Sequence, residues 1–296
     1  MVILDLWLAV TIMHRISPSE KLFITHGIAQ DVRADGRSRL SRRVLRVESG
    51  LLSQSHGSSR VSLKVGSTDV LASVKVEVAH GNHENGWVEL SVQCAPSVSE
   101  KVEGRAQEEM NVELTERMKR LVVVPLAKDD LVIVPNKSVW VVYVDVMVFD
   151  SSGNLPDVIS MAIYAALRDT LLPSIKLSGD KDDEEHVIQV DSDPASGRRL
   201  TLDDWPVDKW FVMDATLEEE VCMSAQISVA IDRHGHVCGM QKNGVGALDL
   251  KEMQAMVDVA SKSSPDVFNA MAGVFAQQDA LDVTRGHVAE RSGFLA

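Results

Sequence analysis

Residues 213–231, "MDATLEEEVCMSAQISVAI", put four carboxylates into seven positions: Asp214 and Glu218 to Glu220. Carboxylates clustered in this way can coordinate a hard cation or exchange a proton with a substrate. The stretch reads as a strand, an acidic corner and a second strand. A second constellation, His234, His236 and Cys238, alternates along a strand and could share one face as metal ligands. The same residues, "DRHGHV", also make a good hairpin turn centred on Gly235, and a turn would break that alternation. No metal site and no cofactor is therefore assigned. His80 and His83 in "HGNHENG" read as loop residues. The glycines of "NGVGAL" could face a phosphate at a helix N-terminus. That stretch lacks the spacing, lysine and hydroxyl of a P-loop, and a strand-to-helix turn explains it equally well.

Positive charge is concentrated in two places. Arg33, Arg37, Arg39, Arg42, Arg43 and Arg46 crowd one segment, interleaved with Asp31, Asp35 and Glu48. They form either an RNA-binding patch or a set of arginines paired with local acids or a partner subunit. Arg105, Arg117, Lys119 and Arg120 form the second set, around a predicted helix. No aromatic residues interleave with either set, so base stacking is not indicated.

These groups need a scaffold. "SPSEKLFITHG" marks a helix start, with Ser17 and Glu20 as a capping box, Pro18 in the first turn and Gly27 as a possible end. The β segments "VLRVESGLL", "SRVSLKVG", "DVLASVKVEV" and "GWVELSVQC" follow; in the third, Val70, Ala72, Val74, Val76 and Val78 alternate with polar residues. Residues 103–122 switch to helical spacing, with Met110, Leu114, Met118 and Leu121 on one stripe. A long apolar strand, "SVWVVYVDVMVF", leads into the helix "LPDVISMAIYAALRDTLL", whose Met161, Ala162, Ala165 and Ala166 suit close packing on a sheet. After the acidic run 177–186, strands are expected near 187–190, 208–214, 221–232 and 236–242. One helix is expected from about 249 and an amphipathic one from about 265. The pattern predicts an α+β architecture of two strand-then-helix halves with weak internal duplication. Residues 1–16 are expected to be an extension, 17–190 and 191–275 the two domains, and 276–296 a tail.

Composition bounds the function. The 296 residues carry a net charge of −13, with 45% hydrophobic and 25% charged residues, as in a folded globular chain. Such a chain repels nucleic acid except at a local basic patch. Three widely spaced cysteines read as core thiols of a reducing compartment. The opening "MVILDLWLAVTI" is too short to span a bilayer and lacks a basic leader, so no membrane role is expected.

Four stretches in order, "FITHGIAQDVRADGRSRL", "GSSRVSLKVGSTDVLASVKVEV", "SSGNLPDVISMAIYAAL" and the acidic stretch above, resemble the RNase PH family. The likeness covers about residues 17–275. "HGIAQDVRADGR" and "GNLPDVIS" resemble its non-catalytic branch, the ring subunits of the RNA exosome core. Active members of the family are phosphorolytic exoribonucleases, which need a phosphate cradle, arginines and two acids. The resemblance places the cradle at Gly153–Asp157, where Asn154 and Leu155 bring no positive charge. It places an arginine at "EEMNVEL", where Glu108, Glu109 and Met110 stand. The two acids fall on Glu220 and Gln226, and an amide cannot exchange a proton as a carboxyl does. Losing one such element costs about 3–4 kcal/mol of transition-state stabilisation. The resemblance thus implies an inert ring subunit, with Glu218 to Glu220 at a solvated turn or facing a neighbouring subunit. Expected partners are other RNase PH-like ring subunits, cap subunits and RNA in a central channel, with Arg105, Arg117 and Arg120 as candidate RNA contacts. The expected roles are ribosomal-RNA maturation and messenger-RNA turnover in nucleus, nucleolus and cytoplasm. The rival readings are an active phosphorolytic exoribonuclease with relocated residues and a stand-alone RNA-binding protein.

Overall fold

The computed structural model describes residues 16–64, 66–81, 83, 85–98, 105–123, 131–178, 187–190, 197–200 and 214–284. The opening apolar run, most of the acidic run 177–186 and most of the expected strand at 208–214 lie outside them. Helix α1 (Pro18–Ala29) starts as expected: Ser17 Oγ accepts from the Glu20 N–H, and the Glu20 carboxylate accepts from the Ser17 N–H. Gly27 does not end it. The chain turns back later, bringing the Val32 carbonyl against Gly27, where a Cβ would stand 2.8 Å away.

The main sheet is built from β1 (Leu45–Ser49), β2 (Gly57–Leu63), β3 (Asp69–His80), β4 (Trp87–Cys94), β5 (Val132–Val134) and β6 (Ser138–Asp150). Its order is β1-β2-β3-β6-β4, with β5 also on β6. All pairs are antiparallel except β4 with β6. That parallel pair requires a crossover, and helix α2 (Arg105–Met118) lies within it. The period-two reading of β3 holds, since Val70, Ala72, Val74 and Val76 are buried. Each such side chain contributes about 1.5–3 kcal/mol when taken out of water, less for alanine. The α2 stripe of Met110, Leu114, Met118 and Leu121 is buried as well.

Helix α3 (Leu155–Asp169) is buried from Pro156 to Leu167, because it is covered on two sides. Toward the sheet, Ser59 Oγ donates to the Ala162 carbonyl at 2.7 Å, and Gly57 lies so close that a Cβ would meet the Ala166 carbonyl at 2.5 Å. On its other side Tyr164 meets Phe268 and Phe275, both at 6.1 Å between ring centroids. Beyond it, β7 (Leu171–Leu172) pairs with β10 (Arg198–Arg199), and β8 (Ile175–Ser178) with β9 (Val187–Val190).

In the second half the expected strand at 221–232 is replaced by a short helix, α4 (Leu217–Cys222), and a strand, β11 (Gln226–Ile231). Thr216 and Glu219 form a capping box, which makes the acidic corner helical rather than extended. β11 pairs with β12 (Val237–Asn243) around the expected hairpin turn, with Gly235 at φ 85°.

The two expected C-terminal helices are one, α5 (Leu250–Thr284), which also takes in the first residues of the expected tail. Pro265 lies inside it and removes a backbone N–H. Packing carries the helix through. Before Pro265, Ala260 joins Ile227, Val229 and Ile231 in a small second core. After it, Val267, Met271 and Phe275 join the main core beside α3. Helix α5 thus ties the halves together.

Candidate functional site

Three distant segments meet at the N-terminus of α3: residues 33–43, the loop 152–157 and the acidic corner 214–220. Glu218 to Glu220, expected at a solvated turn or facing a neighbouring subunit, do not share one environment. Only Glu218 is exposed; Asp214 and Glu219 are buried, and Glu220 is half-buried. Buried carboxylates require partners, and here most come from the first arginine cluster. Arg33 grips Glu219 through two bonds, Nε to Oε1 at 2.8 Å and Nη2 to Oε2 at 2.5 Å, and donates to the Asp214 carbonyl at 2.8 Å. Arg43 approaches Asp214 through Nε at 2.8 Å, Nη2 at 2.6 Å and its backbone N–H at 2.7 Å. It also donates to the Gly153 carbonyl at 3.1 Å, joining corner and loop. Arg37 adds a bond from Nη1 to Asp214 Oδ2 at 2.9 Å. The pairing alternative is therefore realised for these three arginines, largely with acids some 170–190 positions away rather than local ones.

Asn154 completes the junction. Its Nδ2 donates to Asp214 Oδ1 at 2.9 Å and to Asp157 Oδ2 at 3.2 Å. Asn154 and Asp214 both adopt left-handed backbone, at φ 59° and 55°. Non-glycine residues hold that conformation at a cost that surrounding bonds must offset. Gly153, at φ 98°, passes α4 so closely that a Cβ would lie 2.6 Å from the Ala215 carbonyl. The N–H of Asn154, at the α3 N-terminus, donates to Glu220 Oε1 at 2.8 Å. The chain's own carboxyl group thus occupies the end of the helix that attracts anions.

The two acids titrate in opposite directions. Burial pushes Asp214 up, but the Arg43 guanidinium, the Arg43 N–H and Asn154 outweigh it and hold the carboxyl below its ordinary value. Burial pushes Glu220 up to about 7, opposed by the Asn154 N–H and by Arg117 and Arg43, and assisted by Asp214. Gln226 opens β11, half-buried, and Leu155 opens α3, half-buried against the main core.

A model of the 3′ exoribonuclease family, domain 1, matches residues 41–173, and one of its domain 2 matches residues 206–263. The chain belongs to the RNase PH family. The Exosome complex component Rrp42 of Sulfurisphaera tokodaii is 30% identical over 85% of this chain and 93% of its own length. A Dictyostelium discoideum protein, named as a candidate exosome complex exonuclease RRP42, is 31% identical over 88% of this chain and 97% of its own. Among solved structures, an Archaeoglobus fulgidus exosome with RNA bound to the active site matches with a TM-score of 0.68. It covers 89% of this chain and 99% of that one at 22% identity, a likeness of fold.

The candidate RNA contacts of this RNase PH-type chain are not brought together. Arg105 is exposed at the start of α2 and pairs with Glu109 at 3.0 Å. Arg120 is exposed in the wide turn after α2 (Lys119–Val123). Arg117 is buried and bonds Ser228 Oγ of β11, so it is not available to RNA. Its spacing contained the signal: position 117 falls on the stripe of 110, 114, 118 and 121. The Thr216–Glu219 capping box was likewise readable in "TLEE". The pairing of Arg43 with Asp214 left no local signal. Among the described residues no group of three metal-ligating side chains converges. His236 instead pairs with Asp232 at 2.8 Å.

Proposed function

We propose that this chain is a catalytically inert RNase PH-type subunit of an exosome core ring. In this reading it sits beside other RNase PH-type subunits and under cap subunits. It helps form a channel for RNA, and serves 3′-to-5′ processing and decay in nucleus, nucleolus and cytoplasm. The Rrp42 names of its relatives and the exosome fold likeness support the assembly. The observation that carries the inertness is the Glu220 carboxyl on the Asn154 N–H. A phosphate directed to this helix end, as the family resemblance asks, would displace Glu220 and meet buried Asp157 and Asp214 beside it. Arg43, which bonds the Gly153 carbonyl of this loop, is already engaged by Asp214.

A second reading, a phosphorolytic exoribonuclease, is favoured by one property. A carboxyl group raised to about 7 is well matched to general acid–base work at neutral pH. Native mass spectrometry and a phosphorolysis assay on the assembly purified through this chain separate the two. The inert reading expects a multi-subunit assembly whose phosphate-dependent release of nucleoside diphosphates is unaffected by Glu220→Gln. Release abolished by that substitution, with the assembly intact, would establish the enzyme reading.

A further inference from the structure

The outward half of the arginine segment remains unassigned. From Arg42 into β1 the chain is extended and its side chains alternate. Arg43 and Val47 are buried, while Val44 and Arg46 are exposed at 58% and 61% and Arg42 is half-buried beside them in the sequence pattern. Arg42 Nε is buried without a hydrogen-bond partner among the described residues, which is costly unless something outside them pairs with it. Leu40 is exposed at 49% one turn earlier, next to exposed Arg39, and exposed Lys64 donates its N–H to the Val44 carbonyl. β1 is also an edge of the main sheet. On a chain of net charge −13, this strip carries an excess of positive charge, with Glu48 the only acid on its strand.

We propose that this strip docks an acidic, aliphatic-bearing segment of a neighbouring protein subunit. The inference rests on the ring reading and gives it a contact surface. Charge complementarity selects an acidic occupant, and a partly desolvated guanidinium such as Arg42 suits a carboxylate. Exposed Val44 and Leu40 select protein over RNA, since aliphatic side chains offer nothing to a phosphate backbone and residues 31–48 contain no aromatic residue to stack a base. Arg42 and Val44 supply the specific contacts; Arg39 and Lys64 raise the local potential, Arg46 being paired with Glu48.

The test places a photo-crosslinking benzoylphenylalanine at position 44 in the assembly purified from the protein's own cells. It is combined with native mass spectrometry of Arg42→Glu and Val44→Asp chains. The expected result is a crosslink to an Asp/Glu-rich peptide of another subunit, and a roughly tenfold loss of assembled chain in each variant at unchanged melting temperature of the isolated chain. Crosslinks to RNA, or to residues 1–15 of the same chain, would overturn the proposal, as would variants that assemble normally. A wild-type chain that joins no multi-subunit assembly would instead remove the ring reading itself.

Discussion

Arginines of one segment meet two fates. Arg33 and Arg43 are at most 5% exposed and locked onto Glu219 and Asp214, whereas the Arg46 side chain is exposed at 61% and pairs with Glu48. The residue type is the same; the environment sets its energetic weight. A buried carboxylate that loses its guanidinium cannot recover its solvation, while an exposed one exchanges the contact for water. Arginine density in a sequence is therefore weak evidence for nucleic-acid binding until pairing within the chain is known.

Four measurements would break or sharpen this contrast. Arg43→Ala should have the largest effect, about 3–5 kcal/mol in denaturant unfolding, because it leaves Asp214 buried and undercompensated. A loss below about 1 kcal/mol would show that Asp214 is readily rehydrated. Glu220→Gln should act in the opposite sense. A folded-state value raised above the ordinary 4.5 means that Glu220 stabilises the fold at low pH, and this contribution is lost as pH rises from 4.5 through about 7. The neutral isostere should therefore match the wild type at pH 4 and exceed it at pH 8 by on the order of 3 kcal/mol. Equal stability of the two chains at both pH values would count against the raised Glu220.

Gly153→Ala should cost about 1–3 kcal/mol, from the positive φ and the crowding by Ala215, and would show whether the loop or the ion pairs hold the junction together. Arg46→Ala should change stability by less than about 0.5 kcal/mol in thermal unfolding, the baseline for an exposed pair. Asp214 adds a linked acid limb. Because its carboxyl is depressed, its stabilisation is present above the ordinary 3.8 and is lost as pH falls through the folded value.

Local order in the chain was sufficient for the elements. Alternation in β3, the α2 stripe, the Ser17 capping box and the Gly235 turn each depend on residues only a few positions apart, so sequence alone determined them. The same short range carried the family likeness and the unusual make-up of the loop at Gly153–Asp157. Two features were present locally but weaker than a competing pattern: the "TLEE" capping box inside a stretch that alternates like a strand, and Arg117 on an apolar stripe. Which acids Arg33 and Arg43 meet, and that Glu220 covers the end of α3, only the tertiary structure decided. Those contacts join residues from 66 to 186 positions apart. Their energies depend on how much water the packed core excludes, which no local pattern encodes.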